Sequence, residues 1–560
     1  MDDIKPYIHE MMAHWGTPGV AVALIRDGEL VLAEGFGVRD REQQTPVTND
    51  TVFAIASATK AFTTFALGLL VDAGKLDWDT PVREYIPEFR LHDPFASERI
   101  TPRDLVCHRS GLPRHDLAWY NSAATRRELV HQVRYLEPSK DFRTTWQYQN
   151  LMYVVAGYLI GEIAGCSWEE YIRTHIFVPL GMHNSQFAVA ESQQTTDFAV
   201  PYREKDGQLT KIPFRPINAI APAGSINSTI ADMAQWLLLH VNSGIIGEQR
   251  LISESNLVQM HTPQMLMQPE TKFDDVMPFG YGLGWFIDSY RGYKLVHHGG
   301  NIDGFSTLVS LMPQHRLGMV VMTNREASFL PRALSYGLYD RLLDLAPAPW
   351  NDRFDQMVAL TKDGAQHAQQ LRAERTSSQS RPLSDFVGSY QHLGYGTLRI
   401  ELQNDELSAT LHDLRYQVRP DTHTVFDFIA DEDQTTYKSN FVTDPTGRIT
   451  QVAIPFEPMV MPINFERIAD PRMRERDFLA PFAGTYTLPN MTLIVTLQGD
   501  HTLVLGYVGQ PSSELLPLHG TLFAIKGQSG ITVEFKSTAQ ATELLLTHPG
   551  GIWTAKKNSG

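Results

Sequence analysis

The pentapeptide Phe386-Val387-Gly388-Ser389-Tyr390 returns as Phe482-Ala483-Gly484-Thr485-Tyr486, and the residues downstream of each copy match as well. The alternating run Thr397–Leu411 corresponds to Thr492–Leu505, and Thr424-Val425-Phe426 to Thr521-Leu522-Phe523. Three matches in one order, each displaced by about ninety-five residues, mark an internal repeat. Each copy alternates apolar and polar residues between closely spaced turn signals. That pattern predicts two small antiparallel β-barrels, at 385–470 and 475–560.

A chain of 560 residues is too long for a single hydrophobic core, so the remainder forms at least one further domain. Residues 1–345 mix helical and strand signals. Val20 to Gly37 is two apolar runs around Asp27-Gly28, a β-hairpin with a tight turn. In Ser57 to Lys75, Phe62, Phe65, Ala66, Leu69, Leu70 and Ala73 recur at helical spacing, with Ser57 at or just before the first turn. Residues 346–384 are polar, then rich in Ser and Arg, and read as a helical connector followed by a linker.

Three segments carry candidate chemistry. In Ser57-Ala58-Thr59-Lys60, positions i and i+3 of a helix share a face, so the ammonium can sit beside the hydroxyl. A neutral lysine can take the serine proton, while a charged one can orient another base. The first helical turn also aims free N–H groups at developing negative charge. Tyr148-Gln149-Asn150 stands just before an apolar helical stretch. A lysine beside Tyr148 would lower its pKa and let it act as base and then acid. In His297-His298-Gly299-Gly300-Asn301, a strand ends in glycines that allow close backbone approach to a ligand. His298 can hydrogen-bond a substrate or the tyrosine, whereas His297 reads as structural. Each motif alone is common and compatible with ordinary packing.

Together, in order and spacing, the three resemble the serine β-lactamase, penicillin-binding-protein and D-aminopeptidase group, on the branch nearest the class C enzymes. Ser57-Ala58-Thr59-Lys60 matches the first motif of that group and Tyr148-Gln149-Asn150 the second. His298-Gly299-Gly300 stands where the lactamases have Lys-Thr-Gly, with Gly304-Phe305 supporting this register. Family-like stretches at Thr101–Pro113, Ile176–Met182, Ala223–Trp236 and Tyr281–Trp285 extend the resemblance over about residues 5 to 345.

The resemblance implies an α+β catalytic domain over 1–345, an antiparallel sheet flanked by helices plus an all-helical region. It makes the two barrels lipocalin-like. It implies that Ser57 attacks a carbonyl and forms an acyl-enzyme, and that Lys60 and Tyr148 move the proton. Which of these two is the base stays open. Asn150 would hold the substrate or Lys60, and the N–H groups of Ser57 and Asn301 would form the oxyanion hole beside Gly299 and Gly300. His298 is largely neutral at pH 7 and lacks the permanent charge that suits the carboxylate of a β-lactam. The expected activity is therefore that of a peptidase or amidase on short peptides or amino-acid amides. A carboxylesterase would use the same residues, and a scaffold that has lost its chemistry is the alternative of another class. A barrel loop could limit substrate length, or the barrels could serve stability or oligomerisation.

The formal net charge of −15 argues against nucleic acid and anionic membranes as partners, leaving a small molecule or short peptide, with a homo-oligomer left open. Two cysteines, Cys107 and Cys166, exclude a disulfide framework and read as buried apolar residues. No CxxC or HExxH pattern occurs, and no metal or organic cofactor is implied. The N-terminus lacks the basic start and apolar run of a signal peptide, and stretches such as Leu151–Gly161 are too short to span a membrane, so a cytoplasmic location is expected.

Overall fold

The computed structural model describes residues 3–558 apart from 206, 269–272, 371–380, 445–446, 490, 508–510, 529 and 538–541, with 361–370 and 537 described by backbone alone. The chain divides into two compact units, 1–374 and 375–560.

In the first unit, nine antiparallel strands form one sheet. Its order is Met265–Leu266, Val276–Tyr281, Phe286–Tyr290, Tyr293–Ile302, Phe305–Met312, Leu317–Thr323, Gly19–Arg26, Glu29–Asp40 and Thr45–Pro46. The hairpin expected at Val20–Gly37 is present. Asp27 and Gly28 both take positive φ, 55° and 80°, the twist that a two-residue turn must have to match its strands. Val20, Val22 and Leu24 point to one face, where they pack with Ile4, Ile8 and Met11 of the first helix and Leu330 and Leu334 of a later one. The helix Ile230–Val241 covers the other face. Gly318 lets it lie close, since a Cβ there would meet Leu237 Cδ1 at 2.9 Å.

The Ser57–Lys75 segment opens as a 3-10 turn, Ala56–Ala58, and continues as an α-helix, Thr59–Asp72. The apolar stripe understates its burial. Lys60, Thr63 and Thr64 are buried too, because the helix is packed between Asn150–Ala164 and Ala221–Gly224. Ala73, assigned to the stripe, lies beyond the last turn and is exposed. Among the described residues no single helix is long and apolar enough to cross a membrane. Cys107 is buried as expected, while Cys166 is only half-buried.

The connector starts as the helix Trp350–Gln370; the linker expected after it falls largely on 371–380, outside the described residues. The second unit holds two closed eight-stranded antiparallel barrels, from Gly388–His392 to Ile463–Ile468 and from Gly484–Leu488 to Gly551–Lys557. The repeated pentapeptide closes each barrel in the same way. Tyr390 donates its hydroxyl hydrogen bond to the Phe386 carbonyl at 2.9 Å, and Tyr486 to that of Phe482 at 2.9 Å. Gly388 and Gly484 take φ of 152° and 151°, a region that favours glycine. A cation from the last strand caps each turn: Arg467 donates to the Asp385 and Val387 carbonyls, and Lys557 to that of Pro481. The other repeated triplets place Phe426 and Phe523 in the fifth strand of their barrels, both buried. Side chains such as Leu398, Phe441, Leu493 and Phe535 fill the interiors.

Candidate active site

Three elements of the first unit converge on Ser57. The first is the turn that carries it. Ala56, just before Ser57, holds φ at 46°, a costly conformation for a residue with a side chain. The turn is held from both sides: Ile55 N donates to Ile226 O at 3.0 Å, and Ile226 N to Thr59 Oγ1 at 3.1 Å. Ser57 itself is half-buried.

The second element is the strand Tyr293–Ile302. Its glycines let it press against the serine turn, since a Cβ on Gly300 would lie 2.1 Å from Ile55 O and 3.1 Å from the Ala56 Cβ. Gly299 is less constrained, its nearest such contact being 3.7 Å. Asn301 comes next in the same strand, paired with Ser306, and its Oδ1 accepts a 2.8 Å hydrogen bond from Ser306 Oγ.

The third element is the N-terminus of Asn150–Ala164. Gln149 caps it, accepting from Leu151 N at 2.7 Å, while Gln149 N donates to His108 Nδ1 at 3.1 Å. Asn150 opens the helix with its side chain turned to Lys60, and Tyr148 precedes it. Tyr148 hydrogen-bonds Ser57, and its ring centroid lies 4.8 Å from Lys60 Nζ.

Lys60 is fully buried. Its Nζ contacts Ser57 Oγ at 3.2 Å, Asn150 Oδ1 at 2.8 Å and Ala223 O at 2.8 Å. Burial holds its pKa well below that of an ordinary lysine. Arg114 adds to the lowering and Asp116 opposes it. A neutral amine has two N–H bonds and one lone pair. With two carbonyl-type oxygens taking the N–H bonds, the lone pair is left for the Ser57 hydroxyl.

Tyr148 departs from expectation. Its pKa is raised, not lowered, because burial outweighs the hydrogen bond with Ser57 and the charge of Arg114.

His298 is buried, with both ring nitrogens engaged. Nδ1 meets Gly299 O at 2.6 Å and must carry the proton, since a carbonyl only accepts. Nε2 then accepts from the Tyr281 hydroxyl at 2.9 Å. The tyrosine it bonds is therefore Tyr281 and not Tyr148, whose ring centroid is 6.3 Å away. Burial, with Lys60 second, lowers its pKa well below that of a free imidazole. His297 is structural as read, pairing with Asp288 Oδ2 at 2.7 Å and stacking on Phe286. Replacing Tyr281 by Phe removes the donor to Nε2, while burial still holds the His298 pKa low. Two-dimensional NMR of histidine-labelled protein should find a fixed Nδ1–H tautomer in the wild type and a shifted Nε2 resonance in Tyr281→Phe. An unchanged ring in the variant would remove Tyr281 from this role.

The fold brings Ser57, Lys60, Tyr148 and Asn150 to one place, with the His298–Asn301 strand beside them. Sequence reasoning missed His108, whose ring centroid is 4.4 Å from that of Tyr148, and also Tyr281, Arg114 and Asp116. The first two lie inside stretches already marked as family-like, where a buried polar residue next to a motif was the available signal.

A family model described as Beta-lactamase matches residues 4–339. The chain belongs to the β-lactamase family. A second model, a domain of unknown function (DUF3471), matches residues 372–467, over the first barrel. An unguisins hydrolase of Aspergillus campestris is 30% identical over 444 residues, which cover 75% of this chain and 80% of that protein. Two solved structures share the fold. The octameric penicillin-binding protein homologue from Pyrococcus abyssi is 23% identical with a TM-score of 0.56, covering 83% of this chain and 99% of that one. The D-amino acid amidase from Ochrobactrum anthropi is 24% identical with a TM-score of 0.52, covering 61% and 98%. This β-lactamase-family chain is a serine hydrolase with two appended lipocalin-like barrels.

Proposed function

We propose that Ser57 is the nucleophile of a peptidase or amidase acting on short peptides or amino-acid amides, within a catalytic domain of residues 1–345. The observation that carries this reading is the threefold contact of Lys60 Nζ with Ser57 Oγ, Asn150 Oδ1 and Ala223 O. Lys60, neutral through burial, takes the Ser57 proton as Oγ attacks the substrate carbonyl. The N–H groups of Ser57 and Asn301 receive the oxyanion, with Gly299 and Gly300 giving the strand its close approach. Tyr148, kept protonated by burial, donates to the leaving nitrogen; it then takes a proton from the water that attacks the acyl-enzyme, while Lys60 returns its proton to Ser57 Oγ. Water then releases the acyl group.

His298 is a neutral wall beside this site rather than a cation. That favours substrates without a carboxylate at the position where a β-lactam carries one. The likeness to an unguisins hydrolase supports a hydrolytic reaction, and that to a D-amino acid amidase supports an amide bond as the target. The small-molecule or peptide substrate and the cytoplasm are the expected partner and setting.

The test is labelling with a fluorophosphonate, located by mass spectrometry, beside Ser57→Ala. Labelling at Ser57 that vanishes in the variant is expected. It would be followed by kcat/KM on D- and L-amino-acid amides against the matched esters. No label in folded protein would favour the scaffold reading. Turnover of esters with no turnover of any amide or peptide would favour the carboxylesterase.

A further inference from the structure

Lys60 is served by more than its immediate contacts. The loop after Pro113 carries two opposite charges that reach it through Asn150. Arg114 Nε donates to Asp116 Oδ2 at 2.5 Å, and Asp116 Oδ1 accepts from Asn150 Nδ2 at 3.1 Å and from Trp119 Nε1 at 3.0 Å. Asn150 Oδ1 in turn accepts from Lys60 at 2.8 Å. The guanidinium carbon of Arg114 stands 5.0 Å from the ring centroid of Tyr148. Between the two charges, His115 is buried with φ at 46°, and its Nε2 meets Glu137 O at 2.9 Å, which anchors the loop.

We infer that Arg114 and Asp116 act as one positioning element for Lys60, the carboxylate fixing the Asn150 amide and the guanidinium cancelling the charge this brings. The inference rests on the proposed roles of Ser57 and Lys60.

The geometry requires a group like Asp116. An amide can present either end to Lys60. A carboxylate only accepts, so it holds Nδ2 to itself and leaves Oδ1 for the lysine. With the amide reversed, Nδ2 would face Nζ and compete for the lone pair that Ser57 needs. Yet a lone carboxylate this close would also favour a protonated lysine, which cannot accept a proton. Arg114 offsets that charge while half-exposed, so its own desolvation cost is small. The other groups facing Lys60 are neutral: Tyr148 and Tyr153 are phenols whose ionisation burial disfavours, and His108 and His298 are imidazoles whose pKa burial lowers.

Two measurements on the full chain test this. The first is NMR titration of protein labelled with 13C at the lysine ε-carbon, with the Lys60 signal assigned by its loss in Lys60→Arg. The second is the pH dependence of fluorophosphonate labelling. Arg114→Gln should move the Lys60 titration and the acid limb of labelling to higher pH. Asp116→Asn, which keeps an acceptor oxygen and loses the charge, should move both to lower pH. Asp116→Ala should also slow labelling on the pH plateau by about 10²-fold, the scale of a misplaced catalytic group, with Asp116→Glu recovering part of it. Shifts of the same sign in Arg114→Gln and Asp116→Asn, or none, would overturn the inference. Opposite shifts of Lys60 with no wild-type label at Ser57 would uphold the couple and remove the proposed nucleophile. A labelled Ser57 with an unmoved Lys60 would do the reverse.

Discussion

Lys60→Met should lower kcat/KM on the best amide by about 10³–10⁴-fold while leaving the fold intact. General-base contributions run to about 10⁴, and here the base has no substitute at hand. Tyr148 is held protonated and both nitrogens of His298 are occupied. Methionine is unbranched like lysine, one atom shorter, and suits a site with no solvent exposure, so the packing around helix Thr59–Asp72 survives. The change strands two acceptors, Asn150 Oδ1 and Ala223 O, at about 1–3 kcal/mol each. It also relieves the burial of an amine, and the two effects oppose one another. The check is a pair of measurements: steady-state kinetics, with fluorophosphonate labelling of Ser57 beside it, and the thermal midpoint. A loss below tenfold in folded protein would show that Lys60 is not the base. A collapse of the thermal midpoint would show that the amine is mainly structural.

Asp104→Ala should have the largest effect on stability. Asp104 is fully buried and takes five hydrogen bonds. Thr101 N and Oγ1 donate at 2.9 Å each, Arg109 Nε at 2.5 Å, and Arg143 through Nε at 3.0 Å and Nη2 at 2.7 Å. Its carboxylate closes the capping box of Pro102–Val106 and ties that helix to Arg143, five residues before Tyr148. Removing one partner of a buried ionic cluster costs about 3–5 kcal/mol, because the remaining charges keep their desolvation and lose their attraction. The measurement is urea unfolding of the first unit by tryptophan fluorescence, which suits it because of nine tryptophans only Trp553 lies in the second. A loss under 1 kcal/mol would mean that water replaces the carboxylate. Activity should fall with stability here, since the arginine that Asp104 holds precedes the Tyr148 segment.

Local signals were legible where one short segment carries the whole reason. Asp27-Gly28 names its own turn because both residues tolerate positive φ. Phe386 to Tyr390 and Phe482 to Tyr486 name a barrel closure because the tyrosine bonds a carbonyl four residues back. Ser57 and Lys60 are one helical turn apart, so their contact follows from spacing alone. Long-range partners left no such mark. Arg114 and Asp116 act on Lys60 across an interval of more than fifty residues, and nothing in the loop states which helix will face it. Tyr281 reaches His298 from a strand two places away in the sheet.

The sequence by itself therefore determined which groups are present, the secondary structure that carries them and the family that the chain belongs to. Those properties depend on residue type and on spacing along the backbone. Protonation was decided only by the tertiary structure. Beside Lys60 the sequence places a tyrosine whose pKa should fall, and the folded chain raises it. The physical reason is desolvation. Whether lysine, tyrosine and histidine carry charge depends on how much water the surrounding chain removes, and the residues that remove it come from segments far apart in the sequence.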